Sequence, residues 1–219
     1  MKSYLTLVFF LFFFANDKIY SQNQNDSIAD DNPVFRFIGF IDVFYAYDFN
    51  KPVSNFRQSF LYNHNRHNEF AINLGLISLK VEQNKYRANF GLQGGTYTVD
   101  NYTGGNSDFR FIHEANVGVL LSNKYPIWLD AGIFSSHIGF ESAISMENLT
   151  LSRSLVAENS PYFLSGLKVA YQTDPLNLSL ILANGWQRIA RIEGNSLVSI
   201  GTQVTFQTQK NFQLTGVRF

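Results

Sequence analysis

The sequence contains no cysteine, and its 17 basic side chains equal its 17 acidic side chains in number. The absence of cysteine excludes disulfide frameworks, thiolate metal sites and cysteine nucleophiles. The absence of a basic surplus argues against nucleic acid as a partner, because phosphate binding needs excess positive charge gathered on one face. Long apolar runs are also missing after residue 34, so no transmembrane helix is expected there.

The composition changes near residue 34, which divides the chain into a leader and one domain. Residues 1–21 have a cationic start at Lys2, an apolar stretch from Tyr4 to Ala15 and a polar end at Ser21, which is the pattern of a secretory signal peptide. A buried N-terminal helix is the alternative. Residues 22–34 are rich in Asn, Asp, Ser and Gln, so we expect a flexible segment there.

After residue 34 the apolar side chains recur with a period of two, which predicts β-strands. The clearest alternation lies in 85–99, where apolar Tyr86, Ala88, Phe90 and Leu92 are interleaved with polar or small residues. The preceding segment, 68–82, changes phase near Leu76, where we expect a β-bulge. We expect Gly94 and Gly95 to lie inside the strand and to ease its curvature.

The same pattern predicts about nine strands, in the segments 35–49, 68–82, 85–99, 110–122, 127–137, 162–173, 175–187, 197–207 and 212–219. Short turns alternate with long polar loops, as in outer-membrane barrels. The predicted fold is therefore an all-β, antiparallel outer-membrane β-barrel over residues 35–219. Single-chain bacterial barrels have even strand numbers. Either one strand assignment is wrong, or the chain forms part of a barrel. A soluble β-sandwich is the alternative fold.

Charged side chains on the wet faces of the strands are the first candidates for a pore lining: Asp42, Arg87, Glu114 and Asp130. The segment 139–161 breaks the two-residue period, so we expect a loop with helical turns there. It carries Glu141, Glu147 and Arg153, which would line a constriction if the loop folds into the lumen. An external surface loop is the alternative.

No catalytic, metal or cofactor site is predicted, and we do not expect an enzyme. The residues His64 to His67 have a spacing that a metal would accept, but a polar edge between strand and loop explains them better. Ser136 and His137 are adjacent on a predicted strand, so they point to opposite faces and do not form a nucleophile and base pair.

Four stretches resemble the OmpL-like β-barrel porin family of Bacteroidetes outer membranes: GFIDVFYAYDFNKP at 39–52, YNHNRHNEFAINLGLISLK at 62–80, GFESAISMENLTLSRSLVAENSPYF at 139–163 and NGWQRIAR at 184–191. The resemblance covers most of the chain after residue 34. It implies a pore-forming barrel without a known catalytic group. Members of that family are usually longer, which favours a truncated barrel.

We therefore expect a bacterial outer-membrane channel for passive diffusion of small hydrophilic solutes. Its expected partners are outer-membrane lipid, those solutes, the barrel-assembly machinery and further copies of itself in a homo-oligomer. One alternative is a non-conducting structural or adhesive barrel, whose lumen is filled by side chains such as Phe40, Phe44 and Phe134. An exported β-sandwich is a second alternative, and an integral membrane hydrolase is the least supported.

Overall fold

The computed structural model of the chain describes residues 8–9, 32–102, 108–139, 141–191, 193–195, 197–207 and 213–218. The predicted signal peptide (1–21) lies outside these residues except for Val8 and Phe9. The predicted flexible segment (22–34) lies outside them except for residues 32–34. Both assignments remain predictions.

The ten strands found in these residues belong to one antiparallel sheet, in which each strand pairs with its neighbours in the sequence. They are β1 (Val8–Phe9), β2 (Val34–Ala46), β3 (Phe70–Glu82), β4 (Tyr86–Gly94), β5 (Ile112–Leu120), β6 (Ile127–Ser135), β7 (Phe163–Gln172), β8 (Leu176–Ala183), β9 (Ser199–Gln207) and β10 (Gln213–Arg218). The helical elements are α1 (Thr96–Asn101), a 3₁₀ turn (Ser145–Glu147) and α2 (Leu155–Glu158). Across the described ranges, no helix is both long enough and apolar enough to cross a bilayer.

Strands β2 to β10 are the nine strands that the sequence predicts, and most of them are a few residues shorter than expected. The single sheet confirms the all-β, antiparallel prediction. It does not fit the β-sandwich alternative, which requires two sheets packed face to face.

The sheet has one exposed apolar face and one buried face. On β8, Leu178, Leu180 and Leu182 are exposed, whereas the alternating residues Ile181 and Ala183 are buried. No second layer of described strands covers the buried face, and the apolar clusters on it are formed by side chains of neighbouring strands and of the long connections. We call this side the concave face and the opposite side the outward face.

The connections between strands place long loops at one end of the sheet and short turns at the other. The long connections are 47–69, 95–111, 136–162 and 184–198, and they define the long-loop end. The connections 83–85, 121–126 and 173–175 define the short-turn end.

The strands β2 and β10, the first and last of the nine predicted strands, do not pair with each other in the described part of the chain. The two-residue strand β1 pairs with β2 and forms one edge of the sheet, and β10 forms the other. Strands β2 and β10 both run from the short-turn end to the long-loop end, because strand direction alternates along the sheet. Antiparallel closure therefore needs an odd number of further strands between them, which makes the total even. The sheet is an incomplete β-barrel.

Two details of β3 and β4 differ from the sequence prediction. The bulge lies at Asn73, where the register changes between Asp42 and Val43, rather than at Leu76. The apolar phase changes because Leu74 and Leu76 point inward and are buried. Strand β4 ends at Gly94 instead of continuing to 99. Gly95 has a φ of 134°, and a Cβ there would lie 2.9 Å from the Asn73 carbonyl carbon, so glycine turns the chain into α1.

Aromatic and aliphatic side chains form a core in the long-loop half. One cluster of buried residues comprises Leu74, Tyr97, Tyr102, Ile133 and Phe163. The rings of Tyr102 and Phe163 are stacked with centroids 4.7 Å apart, and Tyr97 contacts Tyr162 edge to face at 5.0 Å. Helix α1 and the residue before β7 are therefore packed together.

Candidate functional site

The predicted strand residues Asp42, Arg87, Glu114 and Asp130 lie on the concave face. One row of directly paired residues crosses the sheet from β3 to β8 and comprises Glu82, Arg87, Gly118, Asp130, Lys168 and Ile181. Arg87 and Asp130 belong to this row. Asp42 and Glu114 lie nearer the long-loop end, on β2 and β5. The site thus has two parts at different positions along the strands, one toward the short-turn end and one toward the long-loop end.

Arg87 and Asp130 form a bidentate ion pair on the concave wall. Arg87 donates from Nε to Asp130 Oδ1 at 2.7 Å and from Nη2 to Oδ2 at 2.6 Å. Lys168 Nζ lies 3.6 Å from the same Oδ2 atom. The Asp130 side chain is only 3% exposed, whereas those of Arg87 and Lys168 are 23% and 27% exposed. The carboxylate is covered by the two cations, which remain partly accessible.

Two neighbours hold the Arg87 guanidinium in place. It lies over the Trp128 ring, with Cζ 4.4 Å from the centroid, and Nη1 donates to Gln172 at 3.1 Å. Gly118 lies between Arg87 and Asp130 in the row, and a Cβ there would collide with Asp130 Oδ1. The pair therefore depends on a residue without a side chain at that position.

Asp42 is the anchor of a buried polar network in the long-loop half. Its Oδ2 atom lies 2.8 Å from His64 Nε2 and accepts a hydrogen bond from Asn73 Nδ2 at 3.0 Å. Asn73 Oδ1 accepts from the His64 backbone N–H at 3.0 Å. The bulge at Asn73 supplies this amide, so a local irregularity of β3 ties the connection 47–69 to the wall.

The network continues into the connection 136–162. Asn63 Nδ2 donates to Glu158 Oε1 of α2 at 2.8 Å, and the Tyr62 backbone N–H donates to Glu158 Oε2 at 3.0 Å. Asn73 Nδ2 also donates to Asn63 Oδ1 at 3.1 Å. Hydrogen bonds thus run without interruption from Asp42 through Asn73 and Asn63 to Glu158. Two loops that are distant in the sequence are joined inside the long-loop half.

A second set of contacts joins the connection 47–69 to α1. Arg66 donates from Nη1 to Asp100 Oδ2 at 2.8 Å, and Asn65 Nδ2 donates to the same oxygen at 2.8 Å. His64, Asn65 and Arg66 are all buried, so they do not form the solvated polar edge that the sequence suggests. One feature of the sequence could have indicated this burial, namely the asparagines at 63, 65, 68 and 73. Buried polar groups need hydrogen-bond partners, and asparagine side chains supply both donors and acceptors.

The predicted constriction residues Glu141 and Glu147 line a cavity of about 210 Å³. His113 of β5 and Tyr97 of α1 line the same cavity, so the segment 139–161 faces strand and helix residues. Glu141 accepts a hydrogen bond from the Ser154 backbone N–H at 3.0 Å, which closes the segment on itself.

Arg153, the third predicted residue of that segment, is buried against Tyr162. Its Cζ atom lies 3.8 Å from the centre of the Tyr162 ring, which is a cation–π contact. Within the described residues, its Nε and Nη1 atoms have no hydrogen-bond partner. Burial, assisted by the nearby Glu158 carboxylate, raises the pKa of Tyr162 above its ordinary value. Arg153 therefore packs inside the loop network.

The remaining predicted residue, Glu114, binds the first part of the same connection. Its carboxylate accepts hydrogen bonds from the Ser135 hydroxyl and from the Ser135 backbone N–H, the latter at 3.2 Å. Ser136 Oγ accepts from the Ile138 N–H, and His137 Nε2 lies 3.4 Å from the Arg218 carbonyl oxygen. Ser136 and His137 thus have separate partners. Among the described side chains, no group of three or more His, Asp or Glu residues is arranged to hold a metal ion.

The arrangement combines two features. A charged wall lies toward the short-turn end, and a hydrogen-bonded set of loops narrows the space inside the long-loop end. A set of loops held in this way limits the size of a solute that passes, and a charged wall discriminates between solutes by charge.

Residues 34–219 match a protein-family model described as "Putative beta-barrel porin-2, OmpL-like". The match covers the whole predicted barrel domain and confirms the resemblance that the four sequence stretches indicate. No curated protein and no solved structure matches the chain.

Proposed function

Because the chain belongs to the OmpL-like β-barrel porin family, we propose that it is an outer-membrane channel for passive diffusion of small hydrophilic solutes. The opposite polarity of the two faces of its single sheet is the observation that carries this proposal.

The outward face is suited to lipid. It exposes large apolar side chains on strand after strand, among them Phe37 on β2, Phe90 on β4, Val117 on β5, Leu180 on β8 and Ile200 on β9. Burial of each such side chain is favourable by about 1.5–3 kcal/mol. A soluble chain would leave this surface in water, whereas hydrocarbon covers it when the sheet forms a barrel wall.

The concave face is suited to water and to polar solutes. Charged and amide side chains recur on it, including Arg87, Asn89, Asn116, Asp130 and Lys168, and several of them bind one another. Such a wall offers a hydrated solute replacement hydrogen bonds as it moves. The joined loops at the long-loop end would set the upper limit of solute size.

This role determines the partners we propose: outer-membrane lipid around the outward face, the barrel-assembly machinery during insertion, and further copies in a homo-oligomer. Channel activity of this kind requires no catalytic residue and no cofactor, so we propose that the chain is not an enzyme. The long loops would face outside the cell and the short turns the periplasm, as in other bacterial barrels.

The first experiment is single-channel recording from protein extracted with mild detergent from the outer membrane, so that all strands of the native barrel are retained. Stepwise conductance in planar bilayers is expected, and it should disappear when the protein is boiled before addition. The test requires protein whose gel mobility changes on heating, which shows that a folded barrel was added. Folded, inserted protein that carries no current would refute the channel.

A second candidate function is a non-conducting structural barrel. The buried cluster around Leu74, Tyr97 and Phe163, with the Asp42 network beside it, fills much of the long-loop half. Small barrels with filled interiors do not conduct. Heat-modifiable protein in the outer membrane that lacks conductance would select this candidate, whereas discrete conductance steps would reject it.

A further inference from the structure

The charges of the concave wall are separated by sign along the direction of the strands. The short-turn half carries four basic and two acidic side chains: Arg36, Lys80, Arg87 and Lys168 against Glu82 and Asp130. Register places them in two adjacent rows, since Arg36 pairs with Lys80 and Glu82 pairs with Arg87. This half therefore has a surplus of two positive charges.

The basic side chains are more accessible than the carboxylate of Asp130, which increases the effect of the positive surplus on a solute. Asp130 is almost fully buried beneath Arg87 and Lys168, which are themselves partly exposed. Arg36 and Glu82 are both more than half exposed and lie 3.4 Å apart, a separation at which an exposed ion pair is weak. A solute on this part of the wall would thus meet mainly guanidinium and ammonium groups.

The long-loop half has the opposite sign. Six carboxylates lie in this half: Asp42 and Glu158 are buried, Asp100, Glu141 and Glu147 line cavities, and Glu114 is half-buried on β5. Four arginines accompany them, namely Arg57, Arg66, Arg153 and Arg188. Glu158, Glu114 and Glu141 accept hydrogen bonds from the neutral groups Asn63, Ser135 and Ser154, which hold their charges in place without cancelling them. Asp100, by contrast, is ion-paired with Arg66.

We infer that the lumen is a bipolar channel, acidic toward the long-loop end and basic toward the short-turn end, which conducts ions asymmetrically. This inference rests on the proposed channel function and adds to it the residues that set charge specificity. The acidic half concentrates cations and the basic half concentrates anions. Arg36 and Lys80 are the specificity-determining residues of the basic half, because Arg87 and Lys168 are engaged with Asp130.

The sign of the asymmetry follows from the order of the charges. When the short-turn side is negative, cations enter through the acidic half and anions enter through the basic half, so both accumulate where the halves meet. Reversing the voltage draws both ions away from that junction and depletes it. The larger current is therefore expected when the short-turn side is negative.

Salt controls the size of the effect. The Debye length, over which salt screens the field of the wall charges, is about 10 Å at 0.1 M salt and about 3 Å at 1 M. A ratio of at least about two between the currents at opposite voltages is expected at about 0.1 M KCl, and a ratio near one at about 1 M, where the wall charges are screened. Recording at about pH 8 keeps ordinary histidine side chains neutral.

The test compares the natural protein with the double variant Arg36→Gln, Lys80→Gln and the control Lys51→Gln. Lys51 is an exposed cation in the connection 47–69, so its removal changes net charge away from the basic wall. Protease cleavage of the long loops from one chamber identifies the orientation. The double variant should lose most of the asymmetry, and the control should retain it.

The outcomes separate the two proposals. A linear current–voltage curve at low salt, a larger current at the opposite voltage, or an asymmetry that survives in the double variant would overturn the bipolar lumen and leave the channel intact. Absence of any current from folded, inserted protein would overturn both. The expected sign, its loss in the double variant and its retention in the control would establish the inference.

Discussion

Gly118 lies directly beneath the carboxylate of Asp130, at a distance that leaves no room for a Cβ atom. The neighbouring strand β4 brings Arg87 to the same point, and a Cβ at position 118 would lie 2.9 Å from Arg87 Cγ. The backbone of Gly118 is not in the left-handed region, so space rather than conformation requires glycine. The charged wall depends on this close approach.

Replacement Gly118→Ala is expected to displace the Arg87 and Asp130 side chains and to lower the free energy of unfolding by about 1–3 kcal/mol, the usual cost of overpacking. Urea unfolding of folded protein in detergent, followed by gel mobility, measures the change. Gly39→Ala is the matched control, because a Cβ at Gly39 meets nothing within 4 Å. Equal stability of the two variants would contradict the observed packing.

Replacement Asp42→Ala is expected to free the connection 47–69 from the wall. His64 and Asn73 lose a buried partner, which costs about 1–3 kcal/mol. Hydrogen exchange and protease cleavage within residues 47–69 should both become faster. Asp48→Ala in the same connection removes only an exposed hydrogen bond to the Asn50 N–H and serves as the control. Unchanged protection in the Asp42 variant would show that the network does not hold the loop.

Replacement Val117→Arg tests whether the outward face lies against lipid. Val117 is 60% exposed on β5. A lipid-facing arginine near the middle of the membrane costs about 2–4 kcal/mol, whereas an arginine in water changes stability by less than about 0.5 kcal/mol. Urea unfolding in lipid vesicles measures the difference. Asn84→Arg in the exposed turn 83–85 should have little effect, and a similarly small effect at Val117 would argue against a membrane wall.

His137 is expected to make stability depend on pH. Burial lowers the pKa of His137 below the ordinary histidine value of about 6.5. The folded state therefore binds fewer protons than the unfolded state as pH falls below that value, so stability is full above it and decreases toward acid. The unfolding midpoint measured between about pH 8 and pH 5 should fall less steeply in His137→Gln. The difference in unfolding midpoint between the two proteins at pH 8 gives the effect of the substitution itself. If the midpoints of the natural protein and of His137→Gln fall in parallel as pH decreases, protonation of His137 does not contribute to the pH dependence of stability.

Much of the fold was predictable because alternation with a period of two depends only on neighbouring residues. The nine strands β2 to β10 follow from this local signal. The prediction was wrong at residues 96–99, where alternation continues but α1 forms. Gly95 turns the chain there because the Asn73 carbonyl leaves no room for a side chain, and that carbonyl belongs to another strand.

The candidate site was predictable only in part. The alternating pattern placed Asp42, Arg87, Glu114 and Asp130 on the wet faces of their strands, and the register places all four on the concave face. That they line a pore stays a prediction. Their partners were not predictable, since Asp42 binds His64 and Arg87 binds Asp130, 43 positions further along the chain. The burial of His64 to Arg66 was missed because local polarity alone does not distinguish a solvated loop from a satisfied interior network.

The class of protein follows from local features of the chain: the alternating pattern of its strands, its neutral charge, its lack of cysteine and the stretches that resemble a porin family. The tertiary structure determines which charges meet, which loops enter the long-loop half, and that β2 and β10 run in the same direction. The physical reason is that strand patterns arise from neighbouring residues. Ion pairs, loop docking and closure depend on register and curvature, which form only when distant strands pair.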